Sequence, residues 1–288
     1  MTGETAAASA KTAAPLTPAS SVVLLREHAG RVETLLTRRH AAMSFGGLWV
    51  FAGGKVEDSD RVAAAQLTAV PPPMRRHHAP DIWLEPAEVR PFFTAAAREL
   101  VEETGMLLEG GPDSLVHFAH WVTPPGLPRR FDTHFFLGIA MAGAALGVAC
   151  SEVDEFCWVE PRAAVEAARC EELPCAPVTA FTLFEVAEAL DRHGSLIAML
   201  AGERGRDVLP IMPKLDRDLS PPSALLPWHP RYHELPGEGV CAALPIPEYY
   251  RRLPACWVVP ASLVPRKQAA APAERNQRWT GATEADHG

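Results

Sequence analysis

The chain has 288 residues, of which 48% are hydrophobic, and a formal net charge of -8 at pH 7. This length is enough for one sizeable hydrophobic core with extensions. The negative charge argues against nucleic acid or an anionic membrane surface as the main partner, because both would repel the chain. A small polyanionic molecule is still compatible with this charge, since a few arginines or a bound cation can hold it.

The cysteines and the hydropathy of the sequence indicate the class of protein and its compartment. The sequence has 6 cysteines but no CxxC pair and no neighbouring histidine at metal-ligand spacing, which predicts reduced thiols. The N-terminus lacks the basic start and the apolar segment of a secretory signal. No uninterrupted apolar run approaches the roughly 18 residues of a membrane span. These features predict a soluble cytoplasmic protein.

The two ends of the chain differ in composition from its middle. Residues 1–18 are small, polar and rich in alanine, and residues 266–288 are similarly poor in branched apolar side chains. Such segments bury too little apolar surface to hold one conformation. We therefore expect flexible tails at both ends, a folded domain over residues 19–200, and an extension over residues 201–265.

The first part of the domain has the pattern of a β-sheet. In SSVVLLREHAGRVETLLTRR, two apolar runs flank a turn at residues 28–31, as in a β-hairpin. The run LWVFAGG predicts a buried strand that ends at Gly53 and Gly54. Residues 61–93 contain AVPPPMRRHHAP, which can neither continue a helix nor pair in a central strand. We interpret this stretch as an inserted surface segment.

A helix and a second set of strands follow the insertion. Residues 92–105 have helical periodicity, with an apolar stripe formed by Phe93, Ala96, Ala97, Leu100 and Val101. Strands are predicted at residues 116–123, 133–140 and 155–160, and helices at 161–170 and 178–193. This order indicates an α/β fold with a mixed sheet covered by helices on both faces. The extension is rich in proline, so we expect irregular structure packed on the domain.

Three carboxylates share one side of the predicted helix at residues 92–105. Glu99, Glu102 and Glu103 fall within an arc of about 100° around the helix axis. In isolation this is also the pattern of a solvated helix face. Three carboxylates in one arc repel one another unless a cation compensates, and their oxygens suit Mg²⁺ or Mn²⁺. Arg98 can orient these acids, and the carbonyl of Gly54 can add a ligand.

The stretches GGKVEDSD and RELVEETGM resemble the two halves of the Nudix box. The box is a glycine, five residues, a glutamate, a spacer of seven, and then Arg-Glu-aliphatic-x-Glu-Glu-x-Gly-aliphatic. The second half matches at every specified position, from Arg98 to Met106. The first half begins at Gly54 and has Asp60 in place of the glutamate. The spacer that follows is residues 61–97, which is 30 residues longer than the seven of the pattern. Asp60 keeps a carboxylate that could pair with Arg98 or reach a bridging water. The insertion can leave the two halves of the box where they were, because loop-closure cost grows slowly with length.

The resemblance covers roughly residues 20–195 and implies the Nudix α/β/α sandwich with a mixed sheet. It implies hydrolysis of a nucleoside diphosphate linked to another group, by attack of water on a phosphorus atom. It further implies that Glu99, Glu102 and Glu103 bind Mg²⁺ or Mn²⁺ with the carbonyl of Gly54, while Arg98 orients the acids.

The general base is less well defined by the resemblance, because family members take it either from this helix or from a later loop. Glu152 and Glu155 are the candidates outside the box. We prefer Glu152, since family members often carry a glutamate ahead of the tryptophan of this strand. The alternative is that both are ordinary turn acids.

The insertion within the box, together with HWVTPPGLPRRFDTHFFL and EVDEFCWVEPRAA, resembles the Nudix group that includes the mammalian peroxisomal coenzyme A diphosphatase. The reaction of that group splits coenzyme A or acyl-CoA into 3',5'-ADP and (acyl-)4'-phosphopantetheine. Arg129, Arg130 and Phe131 are candidate substrate contacts, since arginines and an aromatic ring can hold a phosphate and a base. A solvated hairpin with Phe131 in the core is the alternative.

Several further side chains have a less specific pattern. Arg38 and Arg39 alternate on a strand, so at most one of them faces a pocket. His77 and His78 could be metal ligands, but we favour an exposed loop. Trp121 and Trp158 are predicted to lie in the core.

Three functional hypotheses stay open on the sequence. The first is a Mg²⁺- or Mn²⁺-dependent diphosphatase of coenzyme A or acyl-CoA. The second keeps this chemistry for ADP-ribose, a dinucleotide or a nucleotide sugar. The third is a nucleotide-binding regulatory module without catalysis, which the intact glutamates disfavour. We expect a small-molecule nucleotide diphosphate as partner, no nucleic acid and no membrane, and a homodimer is compatible with the sequence.

Overall fold

A computed structural model describes residues 14–42, 46–147, 151–237, 250 and 255–258. The predictions for residues 1–13, for the tail at 266–288 and for the rest of the extension lie outside the described residues. So do Cys150 and Cys241, whereas the cysteines that the structure describes are reduced: Cys157, Cys170, Cys175 and Cys256.

The domain is built on a mixed sheet of eight strands, which confirms the predicted α/β class. The strands are β1 (Leu16–His28), β2 (Arg31–Arg39), β3 (Trp49–Val50), β4 (Ala52–Lys55), β7 (Val116–Val122), β8 (Arg130–Ile139), β9 (Val153–Val159) and β10 (Pro210–Ile211). β1 pairs in parallel with β8 and antiparallel with β2 and β4. β7 and β10 continue the sheet beyond β8, and β9 pairs with β2. The predicted hairpin is therefore the β1–β2 pair.

Helices cover both faces of the sheet. One face packs against α2 (Pro86–Thr104) through a cluster that includes Leu24, Leu100 and Phe136. The other packs against α3 (Pro161–Arg169) and α4 (Pro177–His193) through a cluster that includes Val23 and Phe181. Val23 and Leu24 enter different clusters because successive side chains of a strand point to opposite faces. The layers are those of the predicted α/β/α sandwich.

The insertion contains more regular structure than its prolines indicate. Its first half holds the second half of α1 (Asp58–Ala63) and a short 3₁₀ turn at Ala64–Gln66. β5 (Arg75–Arg76) and β6 (Ala79–Trp83) then form a hairpin, and neither strand pairs with any other described strand. α2 begins at Pro86, within the predicted insertion, because the side chains of Glu85 and Glu88 cap its first turn.

The structure corrects the predicted start and end of the folded domain and the predicted burial of Val101. β1 begins at Leu16, so residues 16–18 of the predicted tail pair in parallel with the start of β8. A helix that the periodicity did not predict, α5 (Leu196–Glu203), carries the folded structure past residue 200. Val101 is exposed, although it was placed in the apolar stripe of α2.

The proline-rich extension forms short strands rather than wholly irregular structure. β10 joins the edge of the main sheet beside β7, where Pro210 needs no ladder partner on its outer side. β11 (Lys214–Asp216), β12 (Ser223–Leu225) and β13 (Cys256–Val258) form a second, three-stranded sheet. Prolines such as Pro213 and Pro222 lie next to these strands and not within them, which is why pairing is possible. No helix in the described part of the chain is both long and apolar enough to cross a membrane.

Glu88 ties the insertion to α2. Its carboxylate accepts a hydrogen bond from the backbone N–H of Glu85 at 2.9 Å and from Arg76 of the hairpin at 2.6 Å. Both contacts lower the pKa of Glu88, the first most strongly. The stabilisation is therefore present above the ordinary pKa of a glutamate and is lost as the pH falls through the lowered value.

We expect Glu88→Ala to lower the free energy of unfolding by about 1 kcal/mol at neutral pH, the usual effect of removing a helix cap. Denaturant titration at pH 7 and again in acid measures it, and the difference from wild type should shrink as the pH falls. Glu109→Ala, at an exposed position outside the helices, is the matched control. Equal losses at both positions would contradict the capping role.

Candidate active site

The glycine pair at β4 meets the acidic face of α2. Gly53 and Gly54 stand opposite Ser21 and Ser20 in the β1–β4 ladder. A Cβ on Gly53 would overlap the backbone of both serines, and a Cβ on Gly54 would overlap the carboxylate of Glu99. Gly53 is thus required by the close approach of two strands, and Gly54 by an acidic side chain packed directly against it.

Arg98 organises the acids around it. Its Nε and Nη2 each donate to one carboxylate oxygen of Asp60 at 2.9 Å, and Nη2 also donates to the carbonyl of Lys55 at 2.9 Å. Its Nη1 donates to Glu99 and to Glu102, both at 2.9 Å. The hydrogen bonding of Arg98 to the Asp60 carboxylate is the main reason why the pKa of Arg98 is raised. The expected Asp60–Arg98 pair therefore forms despite the lengthened spacer.

Glu103 and Glu99 are the two box acids whose pKa values burial raises. Glu103 is 4% exposed, and the N–H of Gly53 donates to its carboxylate at 3.0 Å. Burial raises the pKa of Glu103 to about 7, although Gly53 and Arg39 oppose the rise. Burial likewise raises the pKa of Glu99, against the effect of Arg98. A cation bound between them would favour the ionised form of both.

The three box glutamates fit a hard divalent cation by type and placement. Glu99 and Glu102 turn toward Arg98, whereas Glu103 turns toward Gly53. Within the described residues, their oxygens do not form a set that lies within 4.8 Å of one another. Because one helix carries all three, side-chain rotation alone could bring them together. Carboxylates and a backbone carbonyl are the ligands that Mg²⁺ and Mn²⁺ prefer.

Glu152 faces this cluster and Glu155 does not. Arg39 Nη2 lies 3.3 Å from Glu152 Oε2, and Arg39 Nη1 lies 3.8 Å from the carboxylate of Glu103. The charge of Glu152 adds to the desolvation that raises the pKa values of Glu99 and Glu103. Glu155 instead pairs with Arg38 at 2.6 Å, in an exposed position. Of the two neighbouring arginines, Arg39 is therefore the one that faces the site, as the strand alternation allows.

A cavity of about 550 Å³ opens from the acidic cluster. Gly54, Glu99 and Glu152 line one end of it. Apolar side chains line the other: Trp121 of β7 and Phe135 of β8, together with Leu215, Ala224 and Trp257, which the extension contributes. The sequence did not predict that the extension forms part of the cavity wall. The apolar content of the extension indicated only that it packs on the domain. The cavity therefore joins an acidic end to an apolar end.

Two of the three predicted substrate contacts lie at this cavity. Arg129 and Phe131 line it. The prediction for Arg130 is wrong, because its side chain is buried and donates to the carbonyls of Thr123 at 3.1 Å and Ala14 at 3.2 Å. Successive residues of an extended segment point to opposite sides, so a pair of adjacent arginines cannot serve one pocket together.

The remaining predictions have mixed outcomes. Trp121 is buried as expected, at 3% exposure. Trp158 is only partly buried, and the guanidinium of Arg26 lies 4.0 Å from its ring centroid. His78 is exposed, but His77 is half-buried and contacts Asp132, so the prediction of an exposed loop is wrong for His77.

Known proteins resemble the chain in sequence and in fold. No family model matches it. It is 26% identical over 185 residues to a Caenorhabditis elegans protein provisionally named nudix hydrolase 7, a match that covers 60% of this chain and 61% of that protein. The chain thus spans about three-fifths of the length of this relative.

Solved structures extend the comparison. A NUDIX hydrolase from Alicyclobacillus acidocaldarius superposes with a TM-score of 0.54 and 23% identity, covering 67% of this chain and 98% of the other. The NUDIX domain of Shewanella oneidensis NrtR, complexed with ADP ribose, gives a TM-score of 0.40 and 14% identity, covering 62% and 90%.

The chain has the Nudix fold, as the similarity to the Alicyclobacillus acidocaldarius structure shows. The box residues, in their observed positions, and the relative from Caenorhabditis elegans support the assignment of the chain to the Nudix hydrolase superfamily.

The close packing of Gly54 against Glu99 generates a prediction for metal binding. We expect Gly54→Ala to displace the Glu99 carboxylate and weaken Mn²⁺ binding about tenfold, or about 1.4 kcal/mol. Titration calorimetry or electron paramagnetic resonance measures this affinity. Gly147→Ala is the control, because a Cβ there meets open space. A folded Gly54→Ala variant with wild-type Mn²⁺ affinity would show that Glu99 is not a ligand.

Proposed function

We propose that the protein hydrolyses the diphosphate of coenzyme A or an acyl-CoA, with Mg²⁺ or Mn²⁺ as cofactor. The observation that carries this proposal is a cavity that is lined both by Glu99 of the box and by apolar side chains, some of them from the extension. The proposal also rests on the resemblance of the insertion-bearing box to the coenzyme A diphosphatase group. Cytoplasmic location and a homodimer are kept as predictions from the sequence.

At the acidic end, Glu99, Glu102 and Glu103 would hold the cation together with the carbonyl of Gly54. When bound, a divalent cation neutralises the diphosphate, activates water and stabilises the leaving phosphate oxygen. Arg98 sets the orientation of the first two glutamates through its Nη1 and is itself anchored on a buried carboxylate. This anchoring keeps the acids in place while the substrate enters and leaves.

Glu152 would act as the general base. It lines the cavity beside the box acids, and Arg39 restrains its carboxylate from one side. In the proposed step Glu152 accepts a proton from the attacking water as the water oxygen bonds to one phosphorus atom. The anhydride bond from that phosphorus to the bridging oxygen breaks, and the electron pair leaves with the second phosphate. The products are 3',5'-ADP and (acyl-)4'-phosphopantetheine.

The two arms of the substrate would take different walls of the cavity. Arg129 and Phe131 both line the cavity. In the proposed complex Arg129 would bind a phosphate and the ring of Phe131 would contact the base. The pantetheine arm and its acyl group would extend along the apolar end toward Leu215 and Trp257. ADP-ribose or a nucleotide sugar would present a polar sugar to that end instead. The apolar lining therefore favours a substrate with a long, weakly polar arm.

A panel of diphosphates tests the substrate. We expect kcat/KM to be highest for coenzyme A or an acyl-CoA, and lower for ADP-ribose, a dinucleotide and a nucleotide sugar. Chromatography of the nucleotide released from each substrate, which is 3',5'-ADP for coenzyme A, measures turnover with Mg²⁺ and with Mn²⁺, and Glu103→Gln should abolish it. If neither metal supports release of 3',5'-ADP while another diphosphate is cleaved, the coenzyme A assignment is wrong and the hydrolase assignment stands.

The assignment of the general base has its own test. We expect Glu152→Gln to lower kcat by a factor of about 10² to 10⁴, the usual contribution of a general base. Its Mn²⁺ affinity should stay close to wild type, in contrast to Glu103→Gln. Glu155→Gln serves as the matched control, because Glu155 pairs with Arg38 away from the cavity. Similar kcat values for the two single variants would place the base elsewhere.

A further inference from the structure

A second group of titratable side chains lies apart from the box acids. His120 on β7 and Asp132 and His134 on β8 have ligating atoms that all lie within 4.8 Å of one another. The alternate residues of β8 face the large cavity instead: Phe131, Thr133 and Phe135. The histidine group is therefore on the opposite face of the same strand, toward α2.

The register of the β7–β8 ladder brings this group together. His120 stands directly opposite His134, and their imidazole rings stack with centroids 3.9 Å apart. Asp132 lies two residues before His134, so its side chain points to the same face. The ring of Phe92 on α2 covers His134, with centroids 4.4 Å apart. Both histidines are fully buried.

The carboxylate of Asp132 lies between two imidazoles. His120 Nε2 is 2.5 Å from its Oδ1, and His77 Nδ1 is 2.9 Å from its Oδ2. Burial opposes ionisation of Asp132, but the charge and the hydrogen bond of His120, together with His77, lower its pKa. His77 belongs to the turn of the β5–β6 hairpin, so the insertion reaches this group.

His134 has a ring nitrogen that no described group satisfies. Its Nδ1 lies 3.0 Å from Nε2 of His117, and its buried Nε2 has no hydrogen-bond partner. Burial lowers the pKa values of His117 and His134 well below the ordinary value, because a charged imidazole would be poorly solvated there. If Nδ1 of His134 donates to His117, then Nε2 carries a lone pair. A neutral imidazole held at one nitrogen by a hydrogen bond is the usual form of a histidine metal ligand.

We propose that His120, Asp132 and His134 bind a transition-metal cation of the zinc class. Two imidazoles and one carboxylate are a ligand set that suits Zn²⁺ and Co²⁺, whereas Mg²⁺ prefers oxygen ligands. His77 is a positioning residue, because its hydrogen bond orients the carboxylate and links the insertion to the site. The proposal is independent of the hydrolase function, since none of these side chains lines the cavity.

Cobalt titration tests the site without reference to activity. The chelator-treated full chain is titrated with Co²⁺ in excess Mg²⁺, which occupies the box. We expect one equivalent of Co²⁺ to develop the strong visible absorption of a four-coordinate site, and Zn²⁺ to abolish it. Asp132→Asn and His134→Gln should each remove this absorption. His77→Ala should weaken Co²⁺ binding about tenfold, as loss of an outer hydrogen bond to a ligand does.

Two variants serve as controls for location. His78→Ala removes the exposed neighbour of His77, and Glu103→Gln removes a box acid, so both should keep the cobalt absorption. Circular dichroism checks folding, and if Asp132→Asn does not fold, His134→Gln and His77→Ala decide the outcome.

Absent absorption in wild type, or absorption that survives in His134→Gln with unchanged affinity, overturns the proposal. The group would then be a hydrogen-bonded network that holds a proton where the ion was proposed. Loss of the absorption in Glu103→Gln would also overturn it, because the ion would then lie in the box.

Discussion

The bidentate pair between Arg98 and Asp60 is the interaction on which the acidic site depends. It joins the end of the glycine turn to α2 across 38 positions of sequence, and the Asp60 side chain is 2% exposed. Removing either partner would leave a poorly solvated charge, which is far more costly than losing a surface ion pair. The same guanidinium contacts Glu99 and Glu102. The geometry of the site is therefore set by this pair and not by the length of the spacer.

Local signals predicted those parts of the fold that local contacts determine. The β1–β2 hairpin, the acidic face of α2 and the closing helices each follow from periodicity within a short window. The strands of the extension could not be predicted in this way, because β10 and β13 owe their conformation to partners far away in sequence. The start of α2 is an intermediate case. The signal was present as Glu85 and Glu88, but the neighbouring prolines obscured it.

The identity of the site residues was easier to predict than their orientation. The box pattern placed Glu99, Glu102 and Glu103 on one face of a helix, where the structure has them. It could not show that Glu103 is buried against Gly53, since that depends on how closely β4 approaches α2. The prediction that Arg130 contacts the substrate failed for a related reason, because adjacent residues of a strand can share a sequence motif but do not share a face. Pattern therefore predicts which chemistry is available, and packing decides which groups meet.

Strand β8 lies between the cavity and the insertion in the box, and it contacts both. Its cavity face carries Phe131 beside the proposed substrate, and its other face carries Asp132, which His77 of the insertion contacts at 2.9 Å. A side chain on one face of a strand fixes the backbone from which the next residue projects. The insertion is thus held against the strand that forms part of the cavity wall. The spacer interrupts the box pattern in the sequence, but in the folded chain it contacts the strand that forms part of the cavity wall.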